Sequence, residues 1–161
     1  MTLLPTLAET ISRARTDLRV GLPVVIDGHL VAAVETLTPA RLAALRPIGR
    51  PVLAITARRA GTLKAVPYDG DLARVRVPEK ADVAWLRAVA DPSDDLMTPM
   101  KGPLFTDRGG EDVAPHRAAI ALAKSAQLLP AMLVVPVDDP PPGLTVLPAA
   151  ATLAQLAAET A

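Results

Sequence analysis

The side chains best suited to chemistry are two histidines and the acidic residues near one of them. His116 falls in the first turn of a predicted helix, shortly after Asp107, Glu111 and Asp112. If this loop folds back, its carboxylates and an imidazole can hold a hard divalent cation. The alternative is that the acidic residues complement the positive end of the helix dipole, with His116 a partly exposed first-turn residue. The sequence leaves both interpretations open.

Two adjacent arginines offer a different chemistry. Arg58 and Arg59 follow an apolar run, and guanidinium groups bind phosphate oxygens in a bidentate manner. The pair therefore predicts a phosphate-binding site, with ordinary surface charge at a helix start as the alternative.

The remaining titratable clusters have simpler interpretations. His29 follows a turn glycine at the start of a predicted strand, where a solvated side chain is more common than a catalytic one. Asp91, Asp94 and Asp95 form a carboxylate cluster, but Asp-Pro-Ser-Asp-Asp is also typical of turns and helix ends. We expect a solvated His29 and structural roles for the three aspartates.

Composition limits the class of protein. The 161 residues carry 17 Lys and Arg against 17 Asp and Glu, so no net charge favours nucleic acid or anionic lipid. Cysteine is absent, which excludes disulfides, zinc-thiolate sites and cysteine nucleophiles. Half of the residues are hydrophobic, so we predict a single domain over 1–161 with one core. The chain shows no signal peptide and no apolar run long enough to span a membrane, so we expect a soluble, cytoplasmic protein.

Strands alternate with helices along the chain, which predicts an α/β or α+β fold: one layered domain. Helices are predicted at 7–20, from Thr38-Pro39 to before Pro47, and at 81–90, 115–127 and 148–158; strands are predicted at 23–27, 29–35, 51–56, 73–77 and 131–137. Apolar and basic residues alternate in 73–77, so one face of that strand is expected to be wet. The connection 91–112 is long enough to be functional or mobile.

Seven segments, taken in order, carry a family resemblance: LRVGLPVVID, LVAAVETLTPARLAAL, RPVLAIT, WLRAVADP, GPLFTDRGG, PHRAAIALAKSAQLLPAMLVVPV and LTVLPAAATLAQLAAE. They resemble 3,4-dihydroxy-2-butanone 4-phosphate synthase, the riboflavin-pathway enzyme that acts on ribulose 5-phosphate. The resemblance covers nearly the whole chain and implies a mixed sheet with helices packed around it. It also implies a magnesium-dependent family whose catalytic histidine corresponds to His116.

The chain departs from that family at the active site. The family's acidic loop between the first two strands supplies a metal-binding glutamate and catalytic acids, whereas only Asp27-Gly28-His29 stands here. A second metal-ligand glutamate is expected where this chain has Pro136. The family's chemistry needs a divalent metal to polarise the substrate carbonyl. We therefore expect no bound metal or other cofactor, and a vestigial His116.

The resemblance extends to degenerate domains at the N-terminus of some bacterial GTP cyclohydrolase II proteins. It implies a pseudoenzyme that forms a homodimer and docks a riboflavin-pathway partner, without enzyme activity of its own. The cyclohydrolase itself is excluded, because that family holds zinc with cysteines. The alternative is a small phosphosugar-binding protein or a metal-dependent lyase that uses His116 in a remodelled site.

Overall fold

Capping residues and apolar runs define the elements of this chain. The computed structural model describes residues 2–96, 104–109 and 111–160, apart from the side chain of Asp94. The helices are α1 (Leu7–Arg19), α2 (Pro39–Leu45), α3 (Ala57–Thr62), α4 (Val83–Ala90), α5 (Ala114–Ser125) and α6 (Ala149–Glu159). The strands are β1 (Val24–Ile26), β2 (His29–Ala33), β3 (Val52–Thr56), β4 (Leu72–Arg76), β5 (Ala131–Pro136) and β6 (Val146–Leu147).

The strands form one sheet in the order β4-β3-β5-β2-β1-β6. Neighbouring strands are antiparallel except β1 and β6, which are parallel. The predicted mixed sheet within a layered α+β domain is therefore confirmed.

Helices cover both faces of the sheet, which explains why the central strands are apolar on both sides. One face packs against α2, α3 and α4, and the other against α1, α5 and α6. The strand predicted at 51–56 is buried on both sides: Leu53 and Ile55 face the layer of α2, α3 and α4, whereas Ala54 faces the layer of α1, α5 and α6. In the described parts of the chain, no helix is long and apolar enough to cross a membrane.

Side-chain caps fix the helix starts. Thr6 and Glu9 form a capping box at α1, with the Thr6 amide donating to Glu9 Oε1 at 2.8 Å and the Glu9 amide donating to Thr6 Oγ1 at 3.2 Å. Thr38 caps α2, and Asp82 caps α4. Because Asp82 is the cap, the helix predicted from residue 81 begins at Val83.

Two connections place residues at the sheet edge where the candidate site lies. Asp27 (φ 42°) and Gly28 (φ 73°) make a two-residue turn, so β2 begins at His29 immediately after β1. Within the long connection 91–112, residues 105–107 pair with β4: the Arg76 amide donates to the Phe105 carbonyl at 2.7 Å and the Asp107 amide to the Arg74 carbonyl at 2.8 Å. The rest of that connection lies partly outside the described residues, at 97–103 and 110.

Gly49, in the loop before β3, packs closely against the end of β5 and offers a test of that contact. A Cβ at Gly49 would lie 2.5 Å from the carbonyl oxygen of Pro136 and 3.2 Å from Val135 Cγ1. Gly49→Ala is expected to lower the free energy of unfolding by about 1–3 kcal/mol, because the backbone at the end of β5 must shift. Urea denaturation followed by circular dichroism measures this.

The matched control is Gly61→Ala in α3, where a Cβ would meet no atom within 4 Å. Alanine is the better helix former, so this change is expected to raise stability by about 0.5–1 kcal/mol. Equal effects of the two substitutions would contradict the close approach at Gly49.

Candidate functional site

A cavity of about 240 Å³ lies at the edge of the sheet where β4 and β5 end, under the first turn of α5. Its polar lining comes from α5, from the start of β2, from β4 and from the loops before β3 and α5; the lining residues are His29, Arg50, Val52, Arg74, Asp107, Glu111, His116, Val134 and Pro136. It brings together both histidines of the chain.

His116 is buried, with 3% of its surface exposed, and its Nδ1 has no hydrogen-bond partner among the described residues. Burial, followed by the nearby charges of His29 and Arg74, lowers the pKa of His116 to about 4. The imidazole is therefore neutral near pH 7. The expectation of a partly exposed first-turn residue is wrong, because the first turn of α5 packs against the sheet instead of standing in solvent.

His29 stands beside His116, with the ring centroids 5.5 Å apart and the rings at 62°. The Nδ1 of His29 lies 2.8 Å from the carbonyl oxygen of Asp27. Because a carbonyl only accepts, we assign a proton to Nδ1 as the donor of this hydrogen bond. A solvated turn-edge histidine was expected, but His29 is half-buried and lines the cavity, since β2 pairs its first residue with Pro136, the last residue of β5.

Arg74 is the most deeply buried charge of the site, with 1% of its surface exposed. Its Nε and Nη2 donate to the two carboxylate oxygens of Asp69 at 2.8 and 3.2 Å, and its Nη1 donates to Glu111 Oε2 at 3.2 Å. Burial opposes the charge, but the hydrogen bonds to Asp69 and the charges of Asp69, Glu111 and Asp107 raise the pKa of Arg74 above its usual value.

The alternation in 73–77 predicted that one face of this strand is solvent-exposed, and this prediction is correct only at the end of the strand. Arg76 is exposed and its Nε donates to Asp107 Oδ1 at 2.8 Å. Arg74 is buried instead, because Asp69 compensates its charge inside the protein. Sequence reasoning missed Arg74 as a site residue, and the only local signal was an acidic residue five positions earlier.

The carboxylates proposed as partners of His116 are engaged by other groups. Asp107 and Glu111 line the cavity with His116 but pair with arginines. Asp112 does not line it; its Oδ1 accepts from the Ala114 amide at 2.9 Å, at the start of α5. Within residues 2–96, 104–109 and 111–160, no three His, Asp or Glu side chains are grouped so that they could hold a metal ion.

The Arg58-Arg59 pair does not converge on one ligand position. Arg59 is buried, and its Nη1 and Nη2 donate to the two oxygens of Asp95 at 2.8 and 2.9 Å, while its Nε donates to the Val89 carbonyl at 2.7 Å. Arg58 is exposed and lines a different groove. A phosphate site formed by both guanidinium groups stays a prediction that the arrangement of Arg59 does not favour.

The aspartates that follow α4 hold local structure where they are described. Asp91 Oδ1 accepts from the Ser93 amide at 2.9 Å and caps the short 3-10 turn Pro92–Asp94. Asp95 pairs with Arg59. The side chain of Asp94 lies outside the described residues.

Arg50 is a site residue that sequence reasoning did not single out. It precedes β3, lines the cavity, and forms no hydrogen bond or ion pair with another residue in the described ranges. With a neutral His116 and His29 beside it, the cavity can hydrogen-bond hydroxyl or carbonyl groups and place a guanidinium near an anionic group.

The comparisons with known proteins agree with this architecture. The crystal structure of 3,4-dihydroxy-2-butanone 4-phosphate synthase of Candida albicans superimposes with a TM-score of 0.64 at 16% identity, over 90% of this chain and 95% of that one. This chain has the fold of that synthase. A synthase structure in complex with two magnesium ions matches with a TM-score of 0.61 at 14% identity, over 98% of this chain and 99% of that one.

In sequence, the chain is 33% identical over 136 residues to the GTP cyclohydrolase-2 of Azospirillum brasilense. The match covers 80% of this chain and 35% of that relative, so the chain spans about a third of that protein's length. No family model matches the sequence. The relation inferred from the seven segments, to the synthase and to GTP cyclohydrolase II proteins, is thus supported by both fold and sequence.

Relative to the expectations from the synthase family, this end of the sheet differs at two positions. The connection from β1 to β2 is only the turn Asp27-Gly28, and Asp27 Oδ1 accepts from the Ala149 amide at 3.2 Å. Pro136 ends β5 and lines the cavity, at the place where the resemblance implies a metal-ligand glutamate.

Arg74 gives the first prediction at this site. Arg74→Met would leave Asp69, whose side chain is 4% exposed, buried without its partner. We expect the free energy of unfolding to fall by about 3–5 kcal/mol. Arg76→Gln is the control, because its pair with Asp107 is solvent-exposed and is expected to contribute about 0–1 kcal/mol. Guanidinium denaturation measures both, and a loss at Arg74 as small as that at Arg76 would refute the role of this pair.

His116 gives the second prediction, on pH dependence. The unfolded chain binds a proton at His116 near the ordinary histidine pKa of about 6.5, whereas the folded chain binds it only near pH 4. Stability from this group is therefore complete above pH 6.5 and is lost as the pH falls toward 4, by about 3 kcal/mol. His116→Gln should unfold with a flatter dependence on pH over this range. Urea unfolding of both proteins at several pH values would show parallel curves if His116 were solvated.

Proposed function

We propose that this chain is a catalytically degenerate synthase-like domain of riboflavin biosynthesis, serving as a dimerisation or docking module beside GTP cyclohydrolase II activity. The chain has a synthase fold, and the observation that carries the proposal lies in the cavity at His116. The carboxylates that line this cavity are already paired with arginines.

The chemistry of the family explains why this cavity is unsuited to it. A divalent metal must polarise the carbonyl of the sugar phosphate and stabilise the enediolate, and magnesium takes oxygen ligands from carboxylates. Asp107 and Glu111 offer such oxygens, but Asp107 is paired with Arg76, and Glu111 shares Arg74 with Asp69. Pro136 has no ligand atom in its side chain, and Asp27 does not line the cavity, since its Oδ1 accepts from the Ala149 amide.

The link to the riboflavin pathway is supported by the GTP cyclohydrolase-2 relative. The match covers about a third of that protein, 35%, which leaves most of its length to carry the cyclohydrolase activity in its name. The absence of cysteine here removes the ligands with which the cyclohydrolase family holds zinc. A role through association, as a homodimer or as a docking module, follows for a domain of this kind.

Calorimetry of the purified chain against ribulose 5-phosphate, with and without magnesium, tests the loss of catalysis. We expect no sustained heat of turnover under either condition, because no metal-binding set accompanies His116 in the part of the chain that the structure describes. Magnesium-dependent turnover would overturn the proposal. Sedimentation equilibrium tests association: we expect a dimer that His116→Ala leaves intact, and a monomeric wild-type chain would contradict the dimerisation role.

A second function is favoured by one observation, the unpaired Arg50 in the same cavity as His29 and His116. A phosphosugar could place its phosphate on the Arg50 guanidinium and its hydroxyl groups against the two imidazole rings where they line the cavity. In the same titration this function would give saturable, magnesium-independent heat that Arg50→Gln weakens. A flat trace would leave association as the role of the domain.

A further inference from the structure

The cavity that is lined by His29 and His116 is called the histidine cavity below. A second groove, of about 440 Å³, lies on the opposite side of the N-terminal half of α5. The groove and the histidine cavity share no lining residue. Its walls are the first turn of α3 and the start of β4, together with one face of α5. Arg117, Ile120 and Lys124 lie three and four residues apart in α5, so they share that face.

The groove carries an excess of positive charge. Arg58, Arg117 and Lys124 line it, against Asp71 as its one acidic lining residue. Arg117 donates to both carboxylate oxygens of Asp71, from Nε at 2.7 Å and from Nη2 at 2.9 Å. These hydrogen bonds, and the charges of Arg117 and Lys124, lower the pKa of Asp71, so this carboxylate stays ionised and compensates Arg117.

Arg58 and Lys124 therefore supply the charge that is left over. Both are exposed, and neither forms a hydrogen bond to a carboxylate or an ion pair within the described ranges. The net charge of the lining is two positive charges, which matches a phosphate monoester in its dianionic form.

The floor of the groove is apolar. Leu72 and Ile120 are buried with 1% and 7% of their surfaces exposed, and Ala57 and Ala121 are half-buried beside them. Such a surface suits the carbon body of a ligand, and the volume falls within the range of small-molecule sites.

We propose that this groove binds a phosphate monoester, with the phosphate between Arg58 and Lys124 and an apolar body against Leu72 and Ile120. Arg58 thus keeps the phosphate role predicted from the sequence, but its partner is Lys124 of α5 instead of the neighbouring Arg59. Arg117 is held by Asp71, which fixes the wall of the groove without neutralising the other two cations.

Phenyl phosphate is the probe, because it joins a dianionic phosphate to a flat apolar body. Titration followed by two-dimensional NMR is expected to give saturable shifts at millimolar concentrations, centred on the lining residues of this groove. Phenol, which lacks the phosphate, should give none. Arg58→Gln and Lys124→Gln should each weaken binding about tenfold, since each removes one charged contact.

Two control variants separate this site from general surface charge. Arg13→Gln on α1 and Lys80→Gln between β4 and α4 remove exposed cations from other surfaces and should leave binding unchanged. Thermal melting should be alike for all four variants, because the four side chains are exposed. Binding that survives both Arg58→Gln and Lys124→Gln, or that falls equally in the controls, would overturn the proposal. So would loss of the shifts on His29→Asn, which would place the ligand in the histidine cavity.

Discussion

The pairing of β5 with both of its neighbours is the constraint on which the structure depends. β5 joins β3 and β4 on one side to β2, β1 and β6 on the other, so the sheet is continuous only through this strand. Its residues from Ala131 to Val135 are buried, and alternate ones face the two helical layers. The register that this packing imposes also sets His29 against Pro136. The same contacts that close the core therefore form the edge on which the histidine cavity lies.

Ion pairs between arginines and carboxylates determine which polar groups the histidine cavity offers to a ligand. Asp69 compensates the charge of the buried Arg74. Glu111 also pairs with Arg74, and Asp107 pairs with Arg76. With the carboxylates engaged, burial of His116 is compatible only with its neutral form, as its lowered pKa indicates. In such a site the arginines compete with a hard divalent cation for the carboxylate oxygens that the cation would need as ligands.

The sequence predicted what depends on local chemistry and missed what depends on distant pairing. The helix predicted at 7–20 is present as α1 (Leu7–Arg19), and its start depends on local chemistry, the capping box of Thr6 and Glu9. The alternation around Arg74 predicted a wet face, because an acidic residue five positions earlier does not by itself indicate that Asp69 folds back onto the guanidinium. His29 was interpreted as solvated for the same reason: its burial depends on Pro136, more than a hundred residues away. Fold class needs only the periodicity of apolar residues, whereas the site needs the register.

The fold is matched at 14–16% identity because its stability depends on where apolar side chains fall and not on which site residues are present. Leu53, Ile55 and Leu133 bury their surfaces between sheet and helices without touching the chemistry of the edge. The two-residue turn Asp27-Gly28 is sufficient for the pairing of β1 with β2, because the connection needs only to reverse the chain between these strands. Side chains at such an edge can therefore change without loss of the core. The core contacts therefore position this edge of the sheet without fixing which side chains stand there, which agrees with the proposed roles in association or in binding a different ligand.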